Sequence, residues 1–299
     1  MNTGLYLLVV LIWGTTWIAI TAQNGQFSPV VGVFWRFAIA AVLLMSFLCL
    51  TGRLRRLSST DHLYCFLQGL CVFGFNFICF YSAVAYINSG LESVIFSMAV
   101  LFNAINNRIF FKQKVSIYFV PAAVCGLVGI VAIFWHDLIT TRLQWHTLLG
   151  IALCMLGTYG FSLGNMISIR HQKQQLDVAS TNAYGMLYGA GFMGIIAVLM
   201  EQEFFPEVSV QALVALGYLA VFGSIIGFAA YFVLIGRIGA GKAAYSTLLF
   251  PLVALSISTV WENYQWHAGA VVGVACILLG NYILFKQPKW VVALAGRTS

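Results

Sequence analysis

Charge is what this chain has least of. Eight of its 299 residues are acidic and fifteen are Lys or Arg, 8% together, against about 25% in soluble domains. So little charge cannot cover a water-soluble surface. With 61% hydrophobic residues and a mean hydropathy of +0.93, the chain reads as a polytopic membrane protein. Linkers long enough to separate independent domains are missing, so one bundle is expected. No positive n-region precedes the first apolar run, Leu5–Ala22, as a cleaved leader would need, and that run is expected to be retained. His62, His136, His146, His171 and His267 are isolated and lie at span ends, which gives neither metal-ligand spacing nor a catalytic His pairing. The seven cysteines are scattered, nearly all inside apolar runs, and read as packing residues rather than disulfides. No cofactor is expected.

What is present is a series of apolar runs, each able to cross a hydrocarbon core of about 20 helical residues. Ten are found, at 4–22, 30–50, 63–86, 90–110, 116–135, 147–168, 179–200, 212–235, 242–261 and 267–285. The net charge of +7 does not indicate a nucleic-acid partner, because the basic residues sit in short loops. Arg53, Arg55, Arg56, Arg108, Lys112, Lys114, Arg170, Lys173, Arg237, Lys242, Lys286, Lys289 and Arg297 fall on one side of the predicted bundle. The other side receives Arg142 with Asp137, Glu201, Glu203, Glu207 and Glu262. This asymmetry predicts that both termini face the cytoplasm.

The chain repeats itself. Residues 223–262 restate residues 74–111: Gly74 aligns with Gly223, Tyr81 with Tyr231 and Gly90 with Gly241. Gly14-Thr15 matches Gly157-Thr158, and Gly129 matches Gly280. Spans 1–5 and 6–10 therefore read as two copies, residues 1–140 and 141–299. Five is odd, so the second copy enters the membrane from the opposite face, and inverted repeats place a substrate site near the midplane. The expected fold is an all-α integral membrane bundle of ten transmembrane helices, as two inverted five-helix repeats.

Trp13-Gly14, Trp35-Arg36-Phe37, Gly90 or Gly241 before spans 4 and 9, and Pro251 with Glu262 carry a resemblance. Over nearly its whole length the chain resembles the EamA-type members of the drug/metabolite transporter superfamily. The resemblance implies secondary transport, commonly export of amino acids or other small metabolites, through a cavity lined by spans 1, 3, 4, 6, 8 and 9. The first copy departs from the pattern, with Val100 and Phe111 where the second has Pro251 and Glu262.

Three enzyme-like patterns are set aside by their surroundings. Gly236–Ala243 lacks the final hydroxyl of a P-loop and joins two spans. Gly239–Ala244 matches a dinucleotide fingerprint without a βαβ unit. Gly160-Phe-Ser162-Leu-Gly164 lies inside a span rather than at a strand-to-helix turn. The last is read instead as Gly-x-x-x-Gly, a helix-packing spacing that recurs at Gly185/Gly189, Gly223/Gly227 and Gly269/Gly273. All four lie in the second copy, which is therefore expected to be the more tightly packed.

The candidate binding residues are Trp13, Trp17, Asn76, Tyr81, Ser97, Asn103, Tyr159, Tyr231, Ser246 and Thr247. They fit a cavity with an aromatic wall and hydroxyl or amide donors; Thr16, Ser162 and Ser224 sit at similar depth. Arg36, Glu92 and Pro251 are the candidates for gating or coupling. An arginine inside a membrane costs at least ~3 kcal/mol unless partnered, and Glu92 is the acid at matching depth, so an Arg36–Glu92 pair is expected. Ser89-Gly-Leu-Glu92 also fits a capping box. The function expected is alternating-access export of a small zwitterionic or neutral metabolite such as an amino acid, with protons as a candidate coupling ion at Glu92. Multidrug efflux is the alternative, and a lipid-modifying membrane enzyme a remote one.

Overall fold

The structure, a computed structural model, describes residues 2–112, 114, 117–140, 145–243, 246, 247 and 249–289. Arg142 and Arg297, two of the charges expected to set orientation, lie outside the described residues. The described residues form helices and no strands. Ten apolar rods result, named here α1 Asn2–Thr21, α2 Pro29–Leu50, α3 Ser59–Ala83, α4 Ser89–Phe111, α5 Phe119–Thr140, α6 Trp145–Lys173, α7 Val178–Leu199, α8 Val210–Ile238, α9 Phe250–Trp261 and α10 Ala268–Lys286. Seven are long and apolar enough to cross a membrane; the apolar parts of α5, α9 and α10 are shorter. Large apolar side chains such as Leu11, Leu50, Leu199 and Val214 stand exposed around the outside, as a lipid-facing surface requires.

The ends of the rods are set by local chemistry. Ser28, Ser58, Asn88, Asp177 and Ser209 are N-caps whose side chains accept from backbone N–H groups in the first turn. Asn88, not Ser89, caps α4, so the capping box read from Ser89 and Glu92 does not form. Where Gly236–Ala243 joins two spans, α8 runs on to Ile238, Gly239 takes φ +82°, and a helical turn resumes at Ala240–Ala243. The positive φ is one that glycine adopts without steric cost.

Two irregularities recur at matching places. α3 is π-helical over Gly69–Phe75 and α8 over Leu219–Ile226; such segments concentrate at functional sites. α4 is broken at Ser97-Met98 and resumes as Ala99–Phe111. α9 starts at Phe250, after the Ala240–Ala243 turn. Val100 and Pro251 are each the second residue of the resumed helix. The first copy therefore has the break that its lack of proline seemed to deny it.

The small-residue pairs do a different job from the one expected. Cβ atoms on Gly269 and Gly273 would meet Ala132 O and Gly129 O of α5, each at 2.5 Å. Those on Gly160, Gly185 and Gly189 would meet Phe75, Phe73 and Gly69 of α3 at 2.9–3.0 Å. A Cβ on Gly164 would collide with Val72 of α3, and one on Gly227 with Trp13 of α1. Each pair lies in the second half and packs against the first, so these glycines close the seam between halves rather than tightening one of them.

Candidate functional site

Hydrophobic runs fix where α1, α3, α4, α6 and α8 lie, and their inward faces enclose a cavity of ≈ 30 Å³. A water needs about 10–15 Å³ by this measure, so there is room for about two. Trp13, Thr16, Trp17 and Ile20 line it from α1, and Asn76, Phe77 and Phe80 from α3. Arg36, Phe96, Phe161 and Phe228 complete it from α2, α4, α6 and α8. The rings interlock, Trp13 on Phe228 at 4.8 Å and Trp17 on Phe80 at 5.2 Å edge to face, and Phe96 tilted on Phe161 at 4.8 Å. Trp13 Nε1 donates to Gly223 O at 3.0 Å across the π-helical part of α8.

Arg36 is the one charged residue in this wall and is 1% exposed. Its Nε donates to Ser224 Oγ at 2.9 Å, and its guanidinium lies 4.1 Å from the centroid of Phe77. A desolvated cation over a ring is worth about 2 kcal/mol, which offsets part of the cost of placing it there. The expected Arg36–Glu92 pair is not formed; among the described residues the one ion pair is Arg170–Asp61 at 2.7 Å, near the other end of the bundle. Glu92 is fully buried and turns instead toward Cys154, whose Sγ is 4.0 Å from Oε1. Equal depth did not mean the same azimuth.

Toward the basic loops lies a second layer. Ser162 Oγ donates to Asn103 Oδ1 at 2.8 Å and accepts from Asn106 Nδ2 at 2.9 Å. Asn165 Nδ2 donates to Asn103 Oδ1 at 3.3 Å and to Tyr231 OH at 3.4 Å. All five residues are buried, and Asn103 Nδ2, Asn106 Oδ1 and Asn165 Oδ1 have no partner. A half-satisfied amide cluster in a low-dielectric interior is costly, so this layer is a weak point of the seal.

Beyond it, at the basic end, a vestibule of ≈ 390 Å³ is walled by Asn107, Ile169, Gln172, Lys173, Ile235 and Gly236 among others. Three helices give the same order. α6 runs from Gln172 in the vestibule to Ser162 in the amide layer, ten residues and about 15 Å away at 1.5 Å each. It then reaches Phe161 in the cavity and Cys154 beside Glu92. α4 passes Asn107, Asn103 and Phe96; α8 passes Gly236, Tyr231 and Phe228.

At the opposite, acidic end α4 and α9 are tied together. Ser89 donates its backbone N–H to Glu262 Oε1 at 3.2 Å and its hydroxyl to Glu262 Oε2. Ser258 donates to Asn88 Oδ1 at 3.5 Å. Glu262, at the end of α9, thus holds the first turn of α4.

Of the residues picked from the sequence, Trp13, Trp17, Asn76 and Arg36 meet in the cavity. Asn76 donates to Gly157 O at 2.8 Å while lining the space. Tyr81 lies beside the guanidinium. Asn103 and Tyr231 belong to the amide layer, whose other members Asn106 and Asn165 sequence reading passed over. Ser97 bonds back to Val94 O at the α4 break, and Ser246 to Ala243 O ahead of α9. Thr247 is buried next to it, and Pro251 opens α9. Tyr159 is misplaced by the sequence reading: it is 37% exposed and packs on Phe102 at 5.4 Å, on the outside of the bundle. The phenylalanines of the wall were missed because a lone Phe in an apolar run carries no signal of which way it faces.

Residues 3–135 and 164–286 match the EamA-like transporter family. The chain belongs to that family. An uncharacterized transporter, YoaV, of Bacillus subtilis is 24% identical over 287 residues, covering 94% of this chain and 96% of its own. The uncharacterized inner membrane transporter YedA of Escherichia coli K12 is 26% identical over 298 residues, 95% and 93%. A solved crystal structure at 15% identity covers 97% of this chain and 98% of its own with a TM-score of 0.71, which shows a common fold. A membrane transporter of the EamA-like family, within the drug/metabolite transporters, is therefore established as the coarse identity, and these names indicate transport rather than enzymatic activity. In this family member α2, through Arg36, lines the cavity, whereas α9 reaches only its rim through Phe250, 5.9 Å from Trp13.

Proposed function

We propose that the chain is a secondary transporter working by alternating access, with the Arg36 cavity as its substrate site. The observation that carries this is the stacking along one axis: open vestibule, half-satisfied amide layer, nearly closed cavity, clasped far end. A path closed at one end and weakly closed at the other is one state of a carrier rather than a pore. Residues 1–140 and 141–299 form two inverted five-helix repeats in this reading, supported by the two family matches and the paired π-segments and breaks. Glycine-lined seams let the halves rock.

The basic end faces the cytoplasm with both termini, and the membrane is the inner (plasma) membrane. A vestibule on that side suits loading from inside and export of small organic metabolites, amino acids being the first class to test. Glu92, buried with no ion-pair partner among the described residues, is the candidate proton site. Multidrug efflux keeps some support from the aromatic wall, but Arg36 disfavours cationic drugs. Counterflow in proteoliposomes tests the reading: flux should saturate and be competed by unlabelled solute, and linear, uncompeted flux would contradict it. Imposing a proton gradient in the same vesicles tests coupling; flux indifferent to the gradient would remove Glu92 from that role.

A further inference from the structure

The cavity holds a positive charge and no carboxylate to match it. Arg36 Nη1 is buried without a hydrogen-bond partner, and so is Trp17 Nε1 in the same wall. Both orphaned atoms are donors. The groups set against the guanidinium are the hydroxyl of Tyr81, which is placed to accept from it, and Tyr218, not carboxylates, and no acid is among the described residues lining the space. Trp13 Nε1, Thr16 Oγ1 and Asn76 Nδ2 already donate within the protein, to Gly223 O, Trp13 O and Gly157 O.

We infer that the cavity recognises solutes bearing one carboxylate and no ammonium, on a flat apolar body. The carboxylate accepts from Arg36 Nη1 and neutralises it; the body lies among the rings. This rests on reading the cavity as the substrate site, and sets monocarboxylates in place of amino acids as its substrate class. An amino acid would bring an ammonium into a wall with no anion to receive it. A phosphate dianion would bring two charges against a single guanidinium with no second base in the wall. The ≈ 30 Å³ present means that such a solute enters only as the halves part.

Four probes sharing the phenyl group separate these chemistries: 3-phenylpropionate, its isosteric amide 3-phenylpropionamide, phenethylamine and phenylalanine. Binding to the purified full chain is read by tryptophan quenching, and flux of each in proteoliposomes. The carboxylate should bind about 10- to 100-fold more tightly than the amide, the worth of a charge-assisted hydrogen bond. Arg36→Gln should abolish that preference and Arg36→Lys keep part of it. Should Arg36→Gln not fold, Trp17→Phe keeps an aromatic wall while removing one orphaned donor, and should cut the preference by about 5-fold. Equal binding of the amide, tighter binding of phenylalanine or phenethylamine, a preference that survives Arg36→Gln, or one that Trp17→Phe leaves undiminished overturns the inference. Carboxylate binding without flux would keep the anion site and overturn the carrier; saturable counterflow of phenylalanine but not of the carboxylate would do the reverse.

Discussion

At the acidic end a single carboxylate, Glu262, takes two hydrogen bonds from Ser89 and ties α9 to the first turn of α4. Among the described residues no such tie lies over the path at the basic end. A ≈ 390 Å³ vestibule leads to amides that satisfy each other only in part. The first closure is hydrogen-bonded, local and dependent on one side chain. The second is neutral, spread over α4, α6 and α8, and soft. A carrier that must open each end in turn can be built this way: one latch that is fully made or fully broken, and one seal that water and solute can replace bond for bond.

The wall between the ends should be the most sensitive region. Trp13→Ala removes ring contacts to Phe161, Phe228, Tyr231 and Phe250 and the bond to Gly223, and should cost about 3–5 kcal/mol. A thermal unfolding midpoint close to wild type would break the account of the core. Glu262→Ala comes next. It should leave the fold intact but weaken the closed acidic end by about 1–3 kcal/mol, leaving Ser89 unpaired.

Asn106→Leu is expected to be mild, within about 1 kcal/mol. It loses the 2.9 Å bond to Ser162 but also removes an orphaned buried oxygen. Flux should slow more than stability falls, and a large loss of stability would mean that the amide layer is a structural tie like the far end. Tyr159→Ala should do least, about 0.5 kcal/mol or less, with transport unchanged. A transport defect in that well-folded variant would return Tyr159 to the substrate path.

Much of this architecture was legible because membrane insertion demands it. Ten apolar runs became ten rods, most ends falling within a few residues, since hydrocarbon thickness sets helix length. What failed were inferences about azimuth. Arg36 and Glu92 lie at similar depth, yet face Ser224 and Cys154. Tyr159 lies six residues before Asn165, about 120° round the helix from it at 3.6 residues per turn, and so leaves the inward face that holds Ser162 and Asn165. The break in α4 was invisible because Ser97-Met98 carries no proline, whereas Pro251 announced its partner in α9. Glycine pairs announced close packing correctly, but their place in the second half said nothing of their partners in the first.

Backbone hydrogen exchange of wild type and Glu262→Ala, measured side by side in lipid nanodiscs, tests the central claim most directly. If the two ends are alternately closed about the Arg36 cavity, the variant should exchange faster around Asn88–Leu91 and Ser258–Trp266. It should exchange more slowly around Asn103–Asn107 and Ile235–Ala240, as the vestibule closes. Faster exchange at both ends, or a change confined to the acidic end, would contradict alternating access in this chain.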